Sequence, residues 1–138
     1  MTTYLDASVI LRRLLGQPNQ LDWSLIDSTA TSALSRVECL RTVDRLRMLK
    51  AVDELAHLRL RTTIFDFFES NATLEIGWEV LDRAAMPYPV ALKTLDAMHL
   101  ASALLLRESG TDLVRLATHD SGLARAARSM GFEVLGAA

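Results

Sequence analysis

Asp6, Glu38, Asp96 and Asp120 each stand where an apolar, strand-like run gives way to a helix-like one. In an open α/β sheet such junctions gather at the carboxyl edge of the strands, so the four acids are expected to converge there. Converged carboxylates repel one another unless a cation lies among them. A hard ion such as Mg²⁺ or Mn²⁺ takes oxygen ligands, often one or two carboxylates directly, while the others orient bound water. The four positions therefore point to a divalent-metal centre. Asp6, Asp96 and Asp120 are the expected ligands, and Glu38 the group that orients or deprotonates an attacking water.

Each acid also has a local explanation. Asp6 and Asp120 precede helix-like runs and suit N-caps, whose carboxylates satisfy free backbone N–H groups. Glu38 completes the Ser-x-x-Glu spacing of a capping box with Ser35. Asp96 follows Thr94, the expected cap of its helix, in a first turn where the dipole favours negative charge. If that were all, the chain would be a non-catalytic protein-interaction module whose acids serve as helix caps. Capping alone, however, accepts Ser, Thr or Asn equally well, whereas all four junctions carry an acid.

Other chemistry-bearing residues sort around these. Ser8 and Thr118 each lie two residues from a junction acid and are expected to hydrogen-bond a carboxylate or a metal-bound water. His99 lies one helical turn after Asp96 and His119 adjoins Asp120. Against a role in proton transfer, His99 sits in an apolar helix and His119 alternates away from Asp120 if the strand persists. His57 reads as a surface residue. Asp112 precedes a strand and belongs at the opposite edge. Asp22, Asp27, Asp44, Asp53 and Glu79 fall on or beside helix surfaces. No Gly-x-Ser-x-Gly turn and no Gly-rich phosphate loop with its Lys occurs, so the nucleophile is expected to be water. Asp6 as a phosphoacceptor is disfavoured, because Ala7 and Ser8 leave no second acid two positions on.

The elements that must position these residues alternate. Strands are expected over Thr3–Leu5, Thr29–Leu34, Ala72–Ile76, Leu113–Thr118 and Phe132–Leu135, with helices over Ala7–Leu15, from Ser35 to about Leu49, Trp78–Ala85, Thr94–Glu108 and Ser121–Met130. One helical turn is expected around Trp23–Ile26. Val37, Leu40, Val43, Leu46 and Leu49 recur at helical spacing and read as an apolar stripe. Ala51–Phe68 reads as helical, either unbroken or interrupted at the β-branched patch Thr62, Thr63 and Ile64. Alternation of strand and helix favours a parallel sheet.

The chain has 138 residues, half of them hydrophobic, and a mean hydropathy of +0.18. It is expected to form one domain, residues 1–138, around a single core. A net charge of −2 argues against holding nucleic acid by bulk charge. Local charge differs: Arg12, Arg13, Arg36, Arg41, Arg45, Arg47 and Lys50 are either solvated helix faces or a phosphate-facing rim beside the acids. Two Trp, two Tyr and four Phe leave little scope for extensive base stacking. Cys39, the lone cysteine, excludes an internal disulfide and an all-thiolate zinc site and fits a cytoplasmic location. The opening MTTYLDASVI has no secretory-leader pattern, and no apolar run approaches the length of a membrane span.

The stretches TYLDASVILRRLL, TSALSRVECLR, KTLDAMHLASAL and ATHDSGLARAARSMGFEV, in this order, resemble PIN-domain ribonucleases of the VapC toxin type. The likeness covers nearly the whole chain and is weakest between Met48 and Ile76. It implies that Asp6, Glu38, Asp96 and Asp120 are the acidic quartet of a Mg²⁺ or Mn²⁺ site. It further implies an α/β/α three-layer sandwich with a short, mostly parallel central sheet, a homodimer, and an endoribonuclease of a toxin–antitoxin pair that hydrolyses RNA. The partner implied is a cognate VapB-type antitoxin.

Overall fold

The computed structural model describes residues 1–110 and 113–137. Asp112 lies outside the described residues. In chain order the elements are β1 (Thr2–Leu5), α1 (Ala7–Leu14), a 3₁₀ turn (Trp23–Leu25), β2 (Ser28–Ser32), α2 (Ala33–Met48) and α3 (Glu54–Ser70). Then follow β3 (Ala72–Leu74), α4 (Trp78–Ala84), α5 (Thr94–Glu108), β4 (Val114–Ala117), α6 (Ser121–Ser129) and β5 (Val134–Leu135). The strands form one five-stranded sheet in the order β3-β2-β1-β4-β5. Every described pairing is parallel, as the alternation of elements requires.

Side chains alternate across each strand, and this divides the core in two. Tyr4 and Leu116 face a cluster with Leu100, Leu104 and Leu123 from α5 and α6. Leu5 and Ala117 face the other way, onto Val9, Ile10, Cys39, Val43, Ile64 and Phe68 from α1, α2 and α3. Helices thus cover both faces, giving the expected three layers. A fully buried Leu or Ile in either cluster is worth ~1.5–3 kcal/mol relative to exposure, so both helical layers are held firmly to the short strands.

β1 lies at the centre. The chain steps outward to β2 and β3 on one side, then returns to lay β4 and β5 on the other. The order therefore reverses between β1 and β4, and the crevice beyond their carboxyl ends is where an open α/β sheet places its ligands. Asp6 is the first residue past β1, and Asp120 caps the helix that follows β4.

Some local expectations change. The α2 face that enters the core is Ser35, Cys39 and Val43, while Val37 and Leu49 are exposed. Steps of three residues rotate a helical side chain by about 60° each, so a run spaced by threes drifts off one face; steps of four drift less. α3 is unbroken, because the hydroxyls of Thr62 and Thr63 donate to the carbonyls of Leu58 and Arg59 one turn back and sit in the helix without interrupting it. His57 is buried, not a surface residue. Lys93, not Thr94, occupies the N-cap of α5.

Candidate metal and catalytic centre

Asp6 is held from several directions. Its backbone is extended and its N–H donates to the carbonyl of Ala117 at 3.2 Å, carrying the β1–β4 ladder to the edge of the crevice. As N-cap of α1, its Oδ1 accepts from the N–H of Val9 at 3.2 Å. The same oxygen accepts from Ser8 Oγ at 2.6 Å, and Oδ2 accepts from Thr118 Oγ1 at 2.5 Å. The residue is only 4% exposed. Burial pushes its carboxyl above the usual range, opposed by the Ser8 and Thr118 hydroxyls.

Those two hydroxyls also reach the other junction. Ser8 Oγ accepts from the N–H of His119 at 2.9 Å, and Thr118 Oγ1 accepts from the N–H of Asp120 at 2.9 Å. Each hydroxyl therefore clips the β1 end to the segment after β4. Replacing Thr118 with Val keeps the shape but leaves the Asp6 carboxylate and the Asp120 N–H each short of a partner. The expected cost is about 1–3 kcal/mol of folding stability at neutral pH, read from urea midpoints. An equal cost in an Asp6→Asn background would show that the hydroxyl is not acting through the carboxylate.

Asp120 caps α6, its Oδ1 accepting from the N–H of Leu123 at 2.8 Å. A Cβ on Gly122 would lie 3.2 Å from that oxygen, so glycine leaves room at the carboxylate. Asp120 and Asp96 line one open cleft of ≈ 420 Å³ with Ala91, Leu92, Lys93, Ser121 and Gly122. Asp96 stands in the first turn of α5. Its carboxyl is pushed up to about 6, chiefly by burial and then by the negative charge of Asp120; Asp6 and Glu38 add to the rise, and His99 opposes it. Residues far apart in sequence thus bear on a single carboxyl.

Glu38 does not close a capping box. α2 begins earlier than the box requires, with Ser32 at its N-cap, and the Ser35 hydroxyl points to the carbonyl of Leu5 at 3.5 Å. The Glu38 carboxylate instead meets His99 Nε2 at 2.5 Å. His119 turns away from the acids, its Nδ1 lying 3.2 Å from the carbonyl oxygen of Gly136. Burial lowers its imidazole pKa.

Several arginines are engaged locally. Arg41 and Arg47 both pair with Asp44 at 2.9 Å, and Arg13 stacks over Trp23 at 4.2 Å. Arg36, on α2 near Glu38, shares the ring of Phe65 with Arg61. The basic groups are therefore in part solvated helix faces with local partners.

The structure brings all four expected acids to one edge of the sheet, with Ser8 and Thr118 beside them. Lys93 stands on the cleft wall, and His99 is buried behind Glu38; sequence spacing signalled the nearness of His99 to Asp96 but not its bond to Glu38. The donor set is all oxygen, which suits a hard divalent cation. Among the described residues, no three His, Cys, Asp or Glu side chains stand close enough to form a closed ligand cage. The arrangement fits a cation held by one or two carboxylates directly and by others through water.

Comparison with known proteins identifies the family. The model of the PIN domain family matches residues 3–129. The chain is 33% identical over 139 residues to Ribonuclease VapC46 of Mycobacterium tuberculosis (strain ATCC 25618 / H37Rv), covering 96% of this chain and 95% of that protein. It is 28% identical over 137 residues to Ribonuclease VapC47 of Mycobacterium tuberculosis (strain CDC 1551 / Oshkosh), covering 94% and 92% respectively. Among solved structures, VapBC2 from Rickettsia felis bound to a DNA fragment from their promoter shares the fold with a TM-score of 0.63 at 11% identity, over 97% of this chain and 98% of that one. An acid-lined crevice at the β1–β4 reversal, within a sequence that the family's model matches from β1 to α6, places the chain: it belongs to the PIN domain family, among its VapC-type ribonucleases.

Proposed function

We propose that this protein is a Mg²⁺- or Mn²⁺-dependent endoribonuclease, a single domain that hydrolyses RNA as the toxin of a VapBC-type pair. The cognate VapB-type antitoxin, the homodimer and the cytoplasmic setting come with that reading. Among the described residues no helix is long and apolar enough to cross a membrane. The observation that carries the reading is geometric: Asp6 and Asp120 stand at the β1–β4 reversal, and Asp120 lines one open cleft with Asp96.

Asp6, Asp96 and Asp120 would hold the cation, which when bound lowers the pKa of water and stabilises charge on a phosphoryl group. Ser8 and Thr118 fix the Asp6 carboxylate. Glu38 orients a water and takes its proton as the water oxygen forms a bond to phosphorus. The bridging P–O bond to the leaving ribose breaks, and the leaving oxygen takes a proton from solvent. Lys93, on the cleft wall, would meet RNA phosphates.

Helix capping explains Asp6 and Asp120 but neither Glu38, which caps nothing, nor Asp96, whose crowding capping would not require. The test is direct. Purified protein should cleave a structured RNA pool at discrete sites with Mg²⁺ or Mn²⁺, and EDTA should stop it reversibly. Cleavage that persists in EDTA would sink the metal-dependent mechanism, and no cleavage with either metal would sink the ribonuclease reading.

A further inference from the structure

Behind the acids lies a buried polar chain that local sequence patterns do not announce. His99 on α5 is only 2% exposed. Its Nε2 meets Glu38 Oε1 at 2.5 Å and its Nδ1 meets the Tyr4 hydroxyl at 2.8 Å. The Tyr4 hydroxyl is also hydrogen-bonded to Ser32 Oγ at 2.9 Å, and the Tyr4 and His99 rings pack edge to face with centroids 5.9 Å apart. Tyr4 and Ser32 are completely buried.

The chain joins the elements that carry or precede three of the acids. Tyr4 belongs to β1, which leads into Asp6; Ser32 caps α2, which carries Glu38; and His99 shares α5 with Asp96. Ser32 makes no side-chain bond to the first amides of α2, although serine is among the preferred N-caps. Its hydroxyl is engaged with Tyr4 instead. An ionised carboxylate only accepts hydrogen bonds, so Nε2 carries the proton toward Glu38, Nδ1 accepts from the Tyr4 phenol, and the phenol oxygen accepts from the Ser32 hydroxyl. Burial holds the Tyr4 phenol far above its ordinary pKa, so it stays a neutral hydroxyl.

A glutamate on a helix surface ordinarily samples several rotamers, and ordering one costs entropy. Here a rigid, buried imidazole fixes one carboxylate oxygen. We propose that His99 is the positioning residue for Glu38, holding its carboxylate at the acid cleft through Nε2–H while Tyr4 and Ser32 hold the imidazole from behind. The inference rests on the ribonuclease reading for its catalytic purpose, though the tether itself does not. His99 touches no substrate; it acts through Glu38.

Two substitutions separate the two ring nitrogens. A Gln side chain places its amide nitrogen near the Nε2 position, whereas Asn reaches only about as far as Nδ1. His99→Asn is expected to lower kcat by about tenfold or more, with KM, Mn²⁺ affinity and thermal midpoint little changed. His99→Gln should restore most of the lost kcat. The tether is read independently in the apoprotein by ¹⁵N NMR of the imidazole, where Nε2 should carry a proton and its resonance should move in Glu38→Gln. An unprotonated Nε2, or a resonance indifferent to Glu38→Gln, overturns the proposal whether or not RNA is cleaved. So does a His99→Asn enzyme with wild-type kcat, or a loss that tracks unfolding and is not rescued by Gln. A wild type that cleaves no RNA under any metal would instead overturn the ribonuclease reading, and the nitrogen resonances would still decide the tether.

Discussion

Asp6→Asn is expected to reduce RNA cleavage by about 10²–10³-fold or more while leaving the fold standing. The substitution is isosteric, and asparagine is as good an N-cap as aspartate, so the bond to the Val9 N–H survives. Ser8 can still donate to the amide oxygen. What disappears is the one carboxylate that joins the end of β1 to the segment after β4. Because burial raises the folded pKa of Asp6 above its unfolded value, its ionisation works against folding at neutral pH. Relief of that burial cost offsets the lost Thr118 bond to Oδ2, so the metal-free variant should be close to the wild type in stability.

The cation reverses that comparison. An ion that binds only the folded state adds stability that grows with its concentration over Kd, so Mg²⁺ should raise the thermal midpoint of the wild type and barely move that of Asp6→Asn. Single-turnover cleavage and thermal unfolding with and without Mg²⁺ measure both effects. A variant that cleaves within tenfold of wild type, or gains the same stability from Mg²⁺, would remove Asp6 from the centre.

The junction acids were legible because hydrophobic period changes from two to near four across each of them, which fixes both the element boundary and the sheet edge. Asp6 and Asp120 needed no tertiary information. Thr118 was legible because it lies two residues from Asp120 along extended chain, where side chains point to the same side, and Ser8 because it stands in the turn that the Asp6 N-cap carboxylate reaches into. The Glu38–His99 bond was not legible, since it spans 61 residues, nor the Tyr4–His99 bond, which spans 95. Local patterns favoured a capping box at Ser35, and tertiary contact overrode it. The α2 stripe failed for a related reason: apolar spacing by threes looks helical, yet the sheet selects the face bearing Ser35 and Cys39. Small and polar side chains there let α2 approach Leu5 closely.

Asp96→Asn is expected to cost cleavage about 10²-fold and, in the absence of metal, to stabilise the protein at neutral pH. The sign follows from the raised carboxyl. Asp96 titrates near 6 in the folded protein against an ordinary value of 3.8. Between those values the folded state binds more protons than the unfolded one, so metal-free stability falls as pH rises through this window and stays lower above it. Asp96 is partly buried, and solvent screening reduces the effect to ~1 kcal/mol. The α5 dipole opposes it by ~0.3–1 kcal/mol and narrows the expected gain. The difference between wild-type and Asp96→Asn urea midpoints isolates this carboxyl from Asp6, which is also raised. In EDTA the variant should pull ahead of the wild type as pH climbs from about 4 to about 6. With saturating Mg²⁺ the wild type should overtake it, because the cation holds the carboxylate ionised and its affinity grows as the proton leaves. A variant less stable than wild type in EDTA at pH 7.5, or a midpoint difference flat across that window, would mean that burial and the neighbouring acids do not raise the Asp96 carboxyl. A wild type that gains no stability from Mg²⁺ relative to the variant would remove Asp96 from the metal centre.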